Sequence, residues 1–189
     1  MQEQKYRELQ ENYTGLLKEF EKLVENHLLV PRESVLLQNC QPRESGAASK
    51  TCLYCPPGWQ LYEKSCYLLS PHALSWQESL QWCQRQGGHL AVIKSEDKQY
   101  FMQGFVKRTS WIGLSDRDIE GDWRWVDGTP YDTTLRFWML NQPNNMGNED
   151  CVTVTPGSGW NDEKCFRFYS SVCERIAHQL RWNGDVLSN

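Results

Sequence analysis

Eight cysteines in 189 residues constrain this chain more than any other feature, because a reducing cytosol keeps thiols unpaired unless they hold a metal. Their spacing does not suit a metal. Cys52 and Cys55 form one C-x-x-C, and the second such pair that a zinc ribbon requires is missing. Disulfides made in an oxidising compartment are the better reading. Export needs a targeting segment, yet the sequence opens MQEQKYRELQ with neither a signal-peptide apolar region nor a run long enough to cross a bilayer. The expectation is therefore an extracellular ectodomain whose membrane anchor lies upstream. Asn12, in the sequon Asn12-Tyr13-Thr14, is a glycosylation candidate in keeping with export.

The composition, 39% hydrophobic with nine Trp, suffices for one compact domain and a smaller appendage. A formal charge of -4 with no basic stripe gives no reason to expect nucleic acid. Residues 1–30 read as a helical coiled-coil neck. Tyr6, Tyr13, Phe20 and His27 recur at one heptad core position and Leu9, Leu16, Leu23 and Val30 at the other, with Glu, Lys, Gln and Arg between them. A helix of that length is marginal alone in water, so the seam calls for a partner, a second copy of itself or its own globular domain. Pro31 stops the helix, and residues 31–51 turn to Pro, Ser, Gly, Arg and Glu, the chemistry of a linker. The compact domain is expected over 52–175, with 176–189 a tail without order.

Within that domain, turn residues and then alternating apolar positions from Cys55 to Leu68 predict a hairpin. Ser75-Trp76-Gln77-Glu78 is a capping box for a helix that carries Trp76, Leu80 and Cys83 inward and ends at Gly87-Gly88. His89 to Ile93 reads as a strand, and Ser95 caps a second helix with Phe101, Phe105 and Val106 on its buried face. Short strands are expected at Trp111 to Leu114, Trp123 to Val126, Cys151 to Thr155 and Phe168 to Cys173. Residues between 115 and 150 fit no obvious element, and a long irregular stretch inside a compact domain is commonly functional.

The run QPNNMGNEDCVTVTPGSGWNDEKC, residues 142–165, concentrates amides and carboxylates. Calcium takes roughly six to eight oxygens from such groups, and the absence of His disfavours zinc; the bland reading is a solvated polar loop. Asp116-x-Asp118-x-Glu120-Gly121, with Asp127 further on, nearly fits an EF-hand loop. Its flanks oppose that, since a strand-like run precedes it and Gly128 and Pro130 block an exit helix. Catalysis has little support. His27, His72, His89 and His178 are scattered without a nucleophile motif, and Glu149 and Asp150, being adjacent, seldom could face each other across a glycosidic bond.

Taken in order, Trp111-Ile112-Gly113-Leu114, Trp123-Arg124-Trp125-Val126-Asp127-Gly128, Gln142-Pro143-Asn144, Glu149-Asp150-Cys151 and Trp160-Asn161-Asp162 closely resemble the C-type lectin-like domain over residues 55–175. Within that family the chain looks most similar to the DC-SIGN group of type II membrane receptors, which carry a helical oligomerising neck. The resemblance implies an α+β fold of two helices, short antiparallel sheets and a long calcium-binding loop. It also implies disulfides Cys55–Cys66, Cys83–Cys173 and Cys151–Cys165. Cys40 and Cys52 remain, to bridge each other or to pair across a dimer.

The same resemblance implies one calcium on Gln142, Asn144, Glu149, Asn161 and Asp162, after a cis bond at Pro143. A second would sit on Asp116, Glu120, Asn145 and Asp150. Two vicinal hydroxyls of a sugar would complete the first shell, with Met146 beside them, so the expected partners are glycans or glycoproteins on cells or microbes. One departure matters. Mannose-type members have Glu-Pro-Asn and galactose-type members Gln-Pro-Asp, whereas this chain has Gln-Pro-Asn. The amide removes one charge, which weakens calcium binding, and turns an acceptor into a possible donor. Without an aromatic platform or glycine-rich insertion after the triplet, the balance leans to mannose, fucose or N-acetylglucosamine. The alternatives are a galactose-type lectin and a receptor for a protein ligand whose sugar site has relaxed.

Overall fold

Two serines start the two helices. In a computed structural model that describes residues 40–42, 50–182 and 187–188, with side chains from 53 to 179, Ser75 caps α1 (Trp76–Arg85). Its hydroxyl accepts from the Glu78 N–H at 3.3 Å and the Glu78 carboxylate accepts from the Ser75 N–H at 2.9 Å, the reciprocal pattern of a capping box. Trp76, Ser79 and Cys83 turn inward at steps of three and four. The helix closes on Gly88, where an added Cβ would collide with the Glu174 carbonyl, so only glycine lets the next strand approach this closely. Ser95 caps α2 (Glu96–Phe105) in the same manner, accepting from the Lys98 N–H at 3.2 Å. Gln99 and Met102 are buried, Phe101 and Phe105 half-buried, and Val106 is buried just past the end.

The chain divides into two compact units, Cys55–His178 and a second made from residues up to 54 together with those from 179 onward. The larger unit holds β3 (Gln60–Tyr62), β4 (Ser65–Leu69), β5 (His89–Leu90), β6 (Ser110–Ser115), β7 (Arg124–Trp125), β8 (Cys151–Val154), β9 (Trp160–Glu163) and β10 (Ser170–Ile176). They form one sheet in the order β3-β4-β10-β6-β8-β9, with β5 paired to β10 and β7 to β6. The β10–β6 contact is parallel, Ser170 facing Ser110 and Ser171 facing Trp111. Central β6 is buried along nearly its whole length, and its sequence, Ser-Trp-Ile-Gly-Leu-Ser, is accordingly almost continuously apolar rather than alternating.

Aromatic side chains fill the core. Trp76, Trp111 and Trp160 are almost wholly buried, and each indole N–H finds an acceptor: the Ile112 carbonyl at 2.9 Å, the Leu74 carbonyl at 2.8 Å and the Gln99 side-chain oxygen at 2.8 Å. This is the condition under which Trp can be buried at little polar cost. Disulfides Cys55–Cys66, Cys83–Cys173 and Cys151–Cys165 close the β3–β4 hairpin, tie α1 to β10 and span the β8–β9 hairpin, matching the implied pairing. A buried ionic knot links α2 to β10. The Glu174 carboxylate accepts from Lys98 Nζ at 2.6 Å, the Tyr67 hydroxyl at 3.1 Å and the Val92 N–H at 3.0 Å.

Four details differ from the sequence reading. The strand expected over His89 to Ile93 stops at Leu90. Ala91 to Ile93 stay buried because the Ala91 N–H bonds the Val172 carbonyl and the Val92 N–H bonds Glu174. Trp160–Glu163, read as part of a polar run, is strand β9. The last ladder strand begins at Ser170 and runs to Ile176. The segment read as an unordered tail carries β11 (His178–Trp182) and β12 (Leu187–Ser188), paired antiparallel. With β1 (Cys40–Pro42) and β2 (Lys50–Tyr54) these make a second sheet in the order β1-β2-β11-β12, and its register sets Cys40 opposite Cys52. The helix expected over residues 2–30, its coiled-coil pairing and Asn12 lie outside the described residues.

Candidate functional site

The polar run is assembled on the β8–β9 hairpin, in which Val152 faces Asp162 and Cys151 faces Glu163. Along β9 the side chains alternate, so Trp160 and Asp162 turn inward together and both are fully buried. Trp160 meets Trp125, Phe137 and Trp138 edge-on at 5.5, 5.4 and 5.7 Å between ring centres. Segment 137–139 lies along the outer edge of β9, the Trp160 N–H donating to the Phe137 carbonyl at 2.7 Å and the Met139 N–H to the Trp160 carbonyl at 2.9 Å. These bonds deliver the chain to the cis bond at Gln142-Pro143.

Asp162 then rivets the loop. Its Oδ2 accepts from the Asn144 and Asn145 N–H groups at 2.9 and 2.7 Å. The Asn144 Oδ1 accepts from the Met146 N–H at 2.8 Å, and the Asn145 Oδ1 from the Glu149 N–H at 2.7 Å. Asn141, Asn145 and Asn148 have φ of 64, 48 and 70°, a region that asparagine tolerates better than most residues. The asparagines therefore shape the loop as well as lining it.

The electrostatics leave this cluster short of positive charge. Gln142 Oε1 and Asp162 Oδ1 are buried oxygens without a hydrogen-bond donor. Burial raises the Glu149 carboxyl above its ordinary value, and the charges of Glu163 and Asp162 raise it further. Asn161 Nδ2 donates to the Asp162 carbonyl at 2.8 Å and to Glu163 Oε1 at 3.4 Å. A second acidic group forms where β6 ends. The Asp116 N–H bonds the Asp150 carbonyl at 3.1 Å, and Asp116 Oδ2 accepts from the Gly121 N–H at 2.9 Å. Its Oδ1 is buried without a partner, and the group is raised by burial and then by the charges of Glu120 and Asp150.

The structure thus brings Gln142, Asn144, Glu149, Asn161 and Asp162 to one loop and strand, and Asp116, Glu120 and Asp150 to its neighbour. Asn145, read as a ligand of the second cluster, is bonded to Asp162 and Glu149 of the first, and Met146 is exposed. Of the unpartnered buried oxygens, Gln142 Oε1 and Asp162 Oδ1 belong to the first cluster and Asp116 Oδ1 to the second, and all three are amide or carboxylate oxygens. That is the chemistry a hard cation such as calcium requires, so the residues fit it. Among the described residues no three His, Cys, Asp or Glu side chains converge as a metal group, so neither the first cluster nor Asp116, Glu120 and Asp150 closes around an ion through carboxylates alone. Residues 116–127 follow β6 and contain β7, with no helix on either side, which removes the EF-hand. Trp111, Trp123 and Trp125 are buried core residues, and Asp127 serves a turn by accepting from the Thr129 N–H at 2.9 Å.

Two contributors were missed from sequence. Glu163 accepts from Asn161 and from the Tyr169 hydroxyl at 3.1 Å and acts on Glu149. Its signal was its place two residues beyond Asn161 on a strand, which sets both on one face. Lys164 tempers the charge on Glu149.

Residues 72–175 match the model of the Lectin C-type domain. The human "C-type lectin domain family 4 member E" is 41% identical over 146 residues, which cover 73% of this chain and 65% of that protein. The macaque (Macaca mulatta) "CD209 antigen-like protein 2" is 38% identical over 148 residues, 76% of this chain and 57% of that one. The chain therefore spans less than two thirds of the length of either relative. Among solved structures, the cow carbohydrate-recognition domain of CD23, crystallised in the presence of a GlcNAc2Man3 oligosaccharide, superposes with a TM-score of 0.64 at 35% identity, over 67% of this chain and 99% of that one. The chain belongs to the C-type lectin domain family, close to its DC-SIGN group, and its domain is a carbohydrate-recognition type of fold and not an enzyme.

Proposed function

We propose that this chain is the ectodomain of a cell-surface, type II membrane receptor that binds glycans in a calcium-dependent manner. The observation that carries the reading is the pair of buried, donor-less oxygens, Gln142 Oε1 and Asp162 Oδ1, on the loop and strand that Asp162 itself clamps together. A buried unpaired acceptor costs about 1–3 kcal/mol, and a shared cation removes that cost for both. Bound calcium would supply open coordination positions for two vicinal hydroxyls of one sugar. Asn144 and Asn161 offer amide donors to those hydroxyls, and Glu149 offers an acceptor. Gln142 leaves the first cluster one carboxylate poorer than a Glu would, so binding is weak and leans to mannose, fucose or N-acetylglucosamine.

Weak single sites would be raised by multivalency through the neck over residues 1–30, with linker 31–51, lectin domain 52–175 and Asn12 glycosylated. Microbial or cellular glycoproteins are the partners, in an innate-immune setting. Among the described residues no helix is long and apolar enough to cross a membrane. The amide-rich first cluster also favours a second reading, a receptor for a protein ligand. A glycan array probed with the oligomeric protein in calcium and in EDTA decides between them. EDTA-sensitive signal on mannose- or fucose-terminated glycans supports the first reading, and galactose signal would reverse the sugar ranking. Silence from folded protein in calcium overturns the glycan reading.

A further inference from the structure

A groove of about 730 Å³ opens beside the proposed sugar site, with Pro143 in its wall. Pro143 stands between Gln142 and Asn144, so the groove begins where the clamped loop turns. Its floor is aromatic. Trp123 and Trp138 meet edge to face at 4.9 Å, and Tyr131 lies beside them. The polar ends of Trp138 and Tyr131 are engaged with each other, the Trp138 Nε1–H donating to the Tyr131 hydroxyl at 2.8 Å, so the Trp138 ring offers its carbon face to the groove, with the largely buried Trp123 behind it.

The rim is ionic and balanced. Arg124 pairs with Asp122 at 2.5 Å and Arg136 with Asp132 at 3.1 Å, the arginine side chains being 58 and 53% exposed. Arg136 also sits 4.7 Å from the centre of the Tyr131 ring. Two charges of each sign give the groove no net pull on an anion or a cation. An acyl chain would bury all four without giving them a hydrogen bond, at a cost in desolvation. Gly121 and Gly128, at φ of 77 and 78°, line the groove at its turns, with open space where a Cβ would stand. The far rim is fixed by the Gly121 N–H bond to Asp116.

We infer that this groove is a second saccharide subsite, which takes the pyranose next to the one held at Gln142, Asn144 and Asp162. The inference rests on the glycan reading given above. A neutral pyranose offers C–H groups on one face for the aromatic floor and hydroxyls around its edge for the guanidinium and carboxylate rim. The volume lies within the range of ligand pockets and exceeds what a single ring fills.

The test is calorimetry on the full chain in calcium with methyl α-mannoside and with the GlcNAc2Man3 pentasaccharide. The wild type is expected to bind the pentasaccharide about tenfold more tightly than the monosaccharide, beyond the roughly twofold statistical gain from two terminal mannoses. In Asp122→Ala/Arg124→Ala/Arg136→Ala, which changes only exposed side chains, the excess should fall to about the statistical value with the monosaccharide affinity unchanged. Asp132→Trp, made at a side chain that is 90% exposed, should block the groove with the same result. An excess that survives both variants, or no excess in the wild type, overturns the subsite and leaves the glycan reading intact. Failure of both sugars to bind the wild type overturns the lean to mannose and the subsite with it, and the glycan array in calcium shows whether the glycan reading falls as well.

Discussion

Replacing Asp162 by Asn separates the two tasks that one carboxylate performs. Oδ2 accepts two backbone N–H groups, from Asn144 and Asn145, while Oδ1 is buried with no donor. An asparagine can serve only one side. If its oxygen faces the two N–H groups, its amide points into the position prepared for a cation, among the charges of Glu149 and Glu163; if it flips, both N–H groups lose their acceptor. Hydrogen bonds to a charged group contribute about 1.5–3 kcal/mol each and neutral ones about 0.5–1.5, so the loop clamp weakens by about 2–3 kcal/mol in the better rotamer. Calcium binding should be lost in either. For the wild type, calcium at a hundred times its dissociation constant adds about 2.7 kcal/mol, which at about 4 °C per kcal/mol is a rise in Tm of about 10 °C. Differential scanning calorimetry with calcium and with EDTA should show that rise in the wild type and none in Asp162→Asn, both variants unfolding cooperatively in EDTA. A calcium-induced rise in Asp162→Asn within about 2 °C of the wild type's would refute the assignment of Oδ1 as a ligand.

Gln142→Glu restores a carboxylate to the first cluster and should tighten calcium by several-fold to about tenfold by titration calorimetry; an unchanged affinity would remove Gln142 from the ligand set. Glu174→Ala strands the Lys98 ammonium and two donors in the core and should cost about 3–5 kcal/mol in urea unfolding, with Lys98→Met/Glu174→Gln costing clearly less. Burial raises the Glu174 carboxyl, but the Lys98 charge and the hydrogen bonds from Lys98 and Val92 outweigh it and hold the group below its ordinary value, although burial pushes Lys98 itself down. We take the pair as charged at neutral pH. A depressed carboxylate contributes stability above its unfolded pKa, about 4.3, and loses it as pH falls through the folded value, so urea midpoints should drop below about pH 4 more steeply in wild type than in Glu174→Gln. Removing Cys83–Cys173, whose partners are 90 residues apart, should cost about 4–5 kcal/mol, against about 3 for Cys151–Cys165 with a separation of 14, in guanidinium unfolding; equal losses would contradict loop closure as the source.

The helices were legible because their signals are local. Ser75 with Glu78, and Ser95 with Glu96 and Asp97, act within one turn, whereas the three disulfide pairings came only from the family resemblance. Strand β9 escaped because Asn161 and Asp162 have low strand propensity, and what makes them a strand is pairing with Cys151 to Val154, a non-local cause. The tail escaped for the same reason, since β11 and β12 acquire their hydrogen bonds from each other and from β2. The site residues could be named from sequence, whereas the division of labour within Asp162, and the part of Glu163, required coordinates. The family resemblance implies core positions for Trp111, Trp123 and Trp125, and all three are buried. The groove over Trp123 and Trp138 had no signature, because its Asp and Arg residues look like any solvated surface until the fold pairs them.

The long excursion between β6 and β8 leaves and re-enters the sheet at adjoining points. Ser115 faces Cys151 across the ladder, and the Asp116 N–H continues the pairing to the Asp150 carbonyl. The span from 116 to 150 contains no cysteine. Its two ends are thus fixed side by side by backbone bonds that any sequence can make. The segment is a cassette only in part: its exposed stretch 117–122 can change length, whereas β7 pairs with β6 and Trp125 and Trp138 pack on Trp160, so those portions must stay for the sheet and core to be left as they were.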